Sequence, residues 1–473
     1  MVFSSVSFLF YFLPAVILGY YLLRGRRLRN GWLLLASLVF YVAGGGAFVF
    51  VLLACIAVNY LLGLLAGQAR DRRDAWIVGG LSVATNLSIL GYYKYSNFLL
   101  DQYNVVGGVV GLAPESFAAV VLPIGISFYT FQAMSYVFDI LLGVSRPKRN
   151  PLDFALYVAM FPQLIAGPIV RFRTVEEQLG HRRESFDDFA RGALRFSWGL
   201  AKKILIADQV GLIAEAGYGG ETEWTSATAW LVAVAYTVQL YFDFSAYSDM
   251  AIGLGRMFGF RFPENFARPY SAVSMTDFWR RWHMTLSTWF RDYLYIPLGG
   301  SRVSSLRMYA NLALVFLLTG LWHGAAWTFV LWGAYHGALL IAERVTGLRV
   351  LAPERLAGLR RPATLLLVIL GWILFRANSM EQAETIYDSL FAFSGWSLSP
   401  NVAAVLTNQV LAMLALGAAS VLLPGGFVTG LWLQEASGRT ATLARGLLVF
   451  GLLPFVLIYA MVQTFSPFLY YQF

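Results

Sequence analysis

A chain of 473 residues that is 58% hydrophobic and 13% charged, with a mean hydropathy of +0.62, holds more apolar side chain than a water-soluble domain can hide. It reads as an integral membrane protein. Its net charge of +9 implies no nucleic-acid partner, because the arginines gather in short breaks between apolar runs, the pattern of positive-inside topology. The single cysteine, Cys55, lies within an apolar run, so no internal disulfide is possible and no metal cluster is implied.

A spanning helix needs about 20 mostly apolar residues, and such stretches recur from Phe8 onward. No basic residue precedes the first run and no small-residue cleavage site follows it, so an uncleaved first span is expected. Apolar runs fall at 8–23, 32–42, 48–65, 76–100 and 117–142. Arginine-rich breaks follow the first, third and fifth of these, which places the N-terminus outside. The run at 152–170 contains Pro162 and Pro168 and leads into a basic segment, so a broken helix that enters and leaves on one face is expected. Spans at 196–216 and 230–258 follow, with an acidic break between them on the outside.

The segment 256–307 is the longest polar interruption and is rich in arginine, hence cytoplasmic. Trp279, Trp282, Trp289, Phe290, Tyr293 and Tyr295 interleave with its charges, a pattern that suits amphipathic helices at headgroup level. Five further runs, near 309–321, 327–341, 364–375, 405–423 and 447–462, complete the chain. The expected architecture is all-α: a polytopic membrane protein with about 11–12 transmembrane helices, re-entrant and interfacial helices, and both termini outside. The whole chain, 1–473, is expected to form a single membrane domain.

Three of the four histidines lie between Thr276 and His336. His323 sits in an apolar run between Trp322 and Gly324. A polar group at that depth is costly and is a functional candidate; the alternative is an interhelical hydrogen bond worth about 1 kcal/mol. His283, among arginines and tryptophans, needs no more than a solvated or lipid-facing position. His336 reads as helix packing and His181 as a solvated loop residue. Asp243 and Asp249 fall in or beside a span, where an unpaired carboxylate costs about 3 kcal/mol, so each should face protein, water or a partner. No phosphate-binding glycine loop, zinc motif or nucleophile elbow is present.

The blocks LPIGISFYTFQAMSYVFD, FPQLIAGPIVRF, YFDFSAYSDMAIG, NFARPY, DFWRRWHMTLSTWFRDYLYIPLGG and LTGLWHG together resemble the membrane-bound O-acyltransferase family. More closely, they look like its bacterial alginate O-acetyltransferase branch. The resemblance runs from the N-terminus to about Arg376, with a motif-bearing core at about 120–340. It implies spans and re-entrant helices around a thin centre, with funnels from both faces meeting near a catalytic histidine. By match to LWHG that residue is His323, and the family's second polar position matches His283. Trp322 and Asp249 are taken with Arg280, Arg281 and Arg291 as substrate contacts, the arginines attracting donor phosphates.

The resemblance further implies acetyl-CoA as co-substrate with no other cofactor and no metal. It implies a multi-pass location in the bacterial inner membrane among lipids. It also implies a periplasmic SGNH-type acetyltransferase partner within a polysaccharide-synthesis complex. D-alanyl transfer to teichoic acid, acetylation of peptidoglycan or cellulose, and a transporter or flippase with no bond-making role stand as alternatives.

Overall fold

The computed structural model describes residues 1–347, 357–422 and 428–462, and among these residues the regular structure is helical, with no strand. Among the described residues five helical stretches are long and apolar enough to cross a bilayer: Arg26–Ala66, Arg72–Val109, Ser305–His323, Gly358–Arg376 and Arg439–Val462. Two shorter apolar helices, Ser7–Leu22 and Asn408–Val421, add to them. The chain is an all-α, multi-pass membrane protein. The end of the run expected at 405–423, and the expected position of the C-terminus, lie outside the described residues.

Two compact units are present. Met1–Phe189 with Leu254–Pro263 forms one, and Ala190–Gly253 with the described residues from Glu264 onward forms the other.

In the first unit, the run expected at 117–142 is helical only over Ile126–Leu141. The residues before it are held instead by two asparagines of the preceding helix. Asn97 bonds both backbone groups of Val120, at 2.9 and 3.0 Å, and Asn104 does the same for Glu115, at 2.9 and 2.8 Å. These amides satisfy backbone groups that a helix would otherwise have paired internally. Gly125, at φ 75, then opens the helix where a side chain would meet the Leu164 carbonyl.

The break expected within 152–170 is present. Pro151–Ala159 stops at Met160, Phe161–Leu164 makes one further turn, and the backbone is irregular to Val170. This stretch is buried, and its polar groups find protein partners. The Phe161 amide donates to Ser37 Oγ at 3.1 Å, and the Tyr157 hydroxyl donates to the Val170 carbonyl at 3.0 Å. Protein cover of this kind is what irregular backbone at membrane depth requires.

In the second unit, Phe186–Ala201 continues through a π turn, Lys202–Ala207, into Asp208–Tyr218. The helix Ser226–Met257 packs back along it through small residues. A methyl group on Gly253 would lie 2.6 Å from the Gly192 carbonyl oxygen, and one on Gly199 would lie 2.7 Å from that of Ala246.

Residues 256–307 depart from expectation. Their longest α-helix is the seven-residue Met284–Phe290, and Trp279, Trp282, Trp289 and Phe290 are all buried. These aromatic rings turn inward against protein. Trp282 packs on Tyr270, Phe278 and Trp372, and Trp289 on Phe290.

The helices Ser305–His323 and Trp327–Val345 meet backbone to backbone. A methyl group on Gly320 would lie 2.3 Å from the Phe329 carbonyl oxygen and 3.2 Å from the Gly333 Cα; one on Gly333 would lie 2.3 Å from the Phe316 carbonyl oxygen. Small residues permit such approach between membrane helices. Gly320→Val should therefore destabilise the protein by roughly 1–3 kcal/mol through overpacking, read as a lower thermal midpoint in detergent. Gly446→Ala, with open space around it, should leave the midpoint unchanged.

Candidate active site

His323 is the last residue of its helix, which ends because Gly324 turns to extended backbone. Its ring is 2% exposed and is walled by Trp322, Trp332 and Phe375, with ring centroids at 5.0, 5.1 and 5.0 Å. Trp322 also meets His283 at 6.0 Å, so one indole stands between two imidazoles. The structure thereby joins two histidines that lie 40 residues apart in sequence. His336 packs against Trp332 at 4.9 Å and Trp279 at 5.2 Å, in the aromatic layer behind His323. His181 is exposed.

The solvated or lipid-facing position read for His283 is wrong: the residue is wholly buried. Flanking arginines suggested a surface, but the short helix that follows turns His283 inward. Its backbone takes the left-handed conformation, φ 42 and ψ 53, a strained state that clusters at functional sites. Nδ1 lies 3.2 Å from Asn265 Oδ1. The same oxygen accepts from the Thr285 amide at 3.2 Å and the Thr285 hydroxyl at 2.9 Å, while Asn265 Nδ2 donates to Ser248 Oγ at 3.2 Å. Backbone bonds pin this arrangement, from the Met284 amide to the Asn265 carbonyl and from the Ala267 amide to the Arg281 carbonyl. Burial pushes the His283 pKa down to about 3, so the ring is neutral at physiological pH.

Asp249 is held in a buried ion-pair cluster. Arg195 bridges Asp249 at 2.6 Å and Glu264 at 2.7 Å, and Lys202 reaches Asp249 at 2.6 Å and Ser245 Oγ at 2.8 Å. Lys203 pairs with Asp243 at 2.6 Å and Asp208 at 2.8 Å. The sequence reading missed both lysines. The signal was two cations in mid-span opposite two carboxylates, each needing a partner, and the π turn that begins at Lys202 is a frequent mark of a functional segment. Lys202, Ser245, Ser248, Asp249, Glu264 and Asn265 line a cavity of about 180 Å³. Asn265 thus separates this cavity from His283.

The arginines divide. Arg280 and Arg291 line a second cavity of about 220 Å³, joined there by Arg344 and Tyr295. Arg281 does not line it and pairs with Asp277 at 2.8 Å. Among the described residues no carboxylate lines this cavity, although Arg291 pairs with Asp292 at 2.7 Å, and much of its wall is apolar, among it Trp279, Phe290, Leu312 and Phe316. Its lining extends to Thr319, which stands four residues before His323 and so on the same helix face, about 6 Å along the axis. Arg344 escaped the sequence reading because it ends the next helix, far from the RRWH motif.

The sequence model of the family described as membrane-bound O-acyltransferase matches residues 144–380, a stretch that holds both histidines and the charged side chains lining both cavities. The chain is 48% identical over 419 residues to the probable alginate O-acetylase AlgI of Pseudomonas aeruginosa, covering 88% of this chain and 80% of that protein. It is 43% identical over 419 residues to the probable alginate O-acetylase AlgI of Azotobacter vinelandii, covering 88% and 83%. It is 37% identical over 437 residues to the peptidoglycan O-acetyltransferase of Helicobacter pylori, covering 84% and 81%.

Removing one partner of a buried ion pair leaves the other charge uncompensated. Lys202→Met should destabilise the protein by about 3–5 kcal/mol, measured by thermal unfolding in detergent. Combining it with Asp249→Asn should restore much of the loss.

Proposed function

Because the chain belongs to the membrane-bound O-acyltransferase family and is an O-acyltransferase, we propose that it moves acetyl from a cytoplasmic thioester, acetyl-CoA, toward an exopolysaccharide of the alginate type. The names of the alginate O-acetylase relatives support the polymer. The observation that carries the mechanism is the arginine-lined cavity whose lining reaches Thr319, one helical turn before His323.

In this reading Arg280, Arg291 and Arg344 hold the donor's phosphates, and the neutral arm lies along the apolar wall. Arg281, engaged by Asp277, supports the backbone instead. Trp322 aligns the two imidazoles, and Asp249 shapes the adjoining cavity from within its ion-pair cluster.

His323 acts as general base. As the acceptor oxygen attacks the thioester carbonyl, its proton passes to the imidazole. The carbon–sulfur bond breaks, an oxygen ester forms, and the imidazolium returns the proton to the leaving thiolate, releasing CoA as its thiol. General-base assistance of this kind contributes typically 10²–10⁴-fold in rate. His283, kept neutral by burial, stands across Trp322 as the second polar group.

The acetyl group passes on to a periplasmic acetyltransferase of the SGNH type within a polysaccharide-synthesis complex, with the chain seated in the bacterial inner membrane. The peptidoglycan O-acetyltransferase relative favours a second acceptor, a cell-wall glycan.

Purified protein given radiolabelled acetyl-CoA should turn over the thioester, and His323→Ala should lose about 10²-fold or more while still inserting in the membrane. Wild-type turnover by that variant rules out the assignment. Arg344→Ala should raise KM for acetyl-CoA with kcat nearly kept, the sign of lost uniform binding.

A further inference from the structure

We infer that Asn265 is a positioning residue that fixes the proton of His283 on Nδ1 and leaves the lone pair on Nε2. The inference rests on reading His283 as part of the transfer site.

The orientation of the Asn265 amide follows from chemistry. A backbone N–H can only donate, so the side-chain atom facing the Thr285 amide at 3.2 Å is the oxygen. The Thr285 hydroxyl donates to it as well, at 2.9 Å. Flipping the amide would set its NH₂ against the Thr285 amide and lose that bond.

His283 Nδ1 faces that same oxygen at 3.2 Å, and two acceptors cannot share a hydrogen bond. Nδ1 therefore carries the proton. A neutral imidazole has one proton on its ring nitrogens, so Nε2 carries the lone pair and is the basic nitrogen.

Two features make the arrangement durable. Both residues are wholly buried, where a hydrogen bond lost to water exchange is not replaced. The backbone bonds from Met284 to Asn265 and from Ala267 to Arg281, 3.0 and 2.9 Å, hold the two backbone segments that carry the amide and the ring side by side.

Beyond Asn265 and Ser248 lie Asp249 and Glu264, bound to Arg195 and Lys202, and Arg268 lines the same cavity. On the other side of the ring stand Trp322 and, past it, His323. Phe244 closes the third side edge-on, at 4.8 Å and 90°.

The test is solid-state NMR on the full-length protein in lipid nanodiscs, with histidine labelled in carbon-13 and nitrogen-15. Nδ1 is bonded to Cγ and Nε2 to Cδ2, so the carbon each nitrogen couples to tells them apart. The His283 signals are those missing from His283→Gln. In the wild type, Nδ1 should be protonated and Nε2 bare. Asn265→Leu, which removes the acceptor, should shift protonation to Nε2 or to a mixture.

Asn265→Asp keeps an acceptor and should keep Nδ1–H. Its carboxylate favours the imidazolium, so the acid limb of kcat/KM should move to higher pH. A bare Nδ1 in the wild type overturns the inference, even if Asn265→Leu fails to fold. An unchanged Nδ1–H in a folded Asn265→Leu overturns it too. The NMR result stands without turnover, so failure of the transferase reading and failure of this inference are separable.

Discussion

The glycine contact between the helices ending in His323 and beginning at Trp327 sets where the chemistry can occur. With no side chains at Gly320 and Gly333, the two backbones touch, and in a bilayer such packing replaces the hydrophobic drive that joins helices in water. The reversal between them takes only Gly324, Ala325 and Ala326. That geometry brings Trp332 against the His323 ring while Phe375 closes it from a third helix. The rings that wall the imidazole offer water no strong hydrogen bond, and in such surroundings electrostatic interactions act over a low effective dielectric.

Around this fixed point the second unit sorts its charges by compartment. Cations and carboxylates meet two against two at Arg195, Lys202, Asp249 and Glu264, and one against two at Lys203, Asp243 and Asp208. The cavity beside them carries both signs of charge, Lys202 and Arg268 with Asp249 and Glu264, among apolar walls. The cavity whose lining reaches Thr319 differs, with Arg280, Arg291 and Arg344 at its lining. Its field favours an anionic ligand more than that of the first.

Sequence reasoning captured what depends on local pattern and missed what depends on long-range pairing. The apolar runs, the proline-broken helix at 152–170 and the His323 motif were all legible, because period, proline and hydropathy act locally. The burial of His283 was not, since its arginine neighbours resemble a surface; only the inward turn at φ 42 and the distant Asn265 reverse that impression. Lys202 and Lys203 sat in a predicted span, and although Asp208 lies one helical turn from Lys203, their partners Asp249 and Asp243 are 47 and 40 residues away. Arg344 joins Arg280 and Arg291 at one cavity only because the Trp327–Val345 helix returns to it. The start of the Ile126–Leu141 helix was misplaced because the stretch before it is not helical, with Val120 and Glu115 pairing their backbone groups with the Asn97 and Asn104 side chains rather than through helical bonds.

If the thioester reaches His323 along the arginine-lined cavity, photocrosslinking with a CoA thioester carrying a diazirine on its acyl group, followed by mass spectrometry of the labelled peptides, will reveal the route. Label on the segment 315–323, suppressed by excess acetyl-CoA, is the predicted result. Label confined to the neighbouring cavity, on Trp198 or Tyr241, with none on that segment, would contradict it.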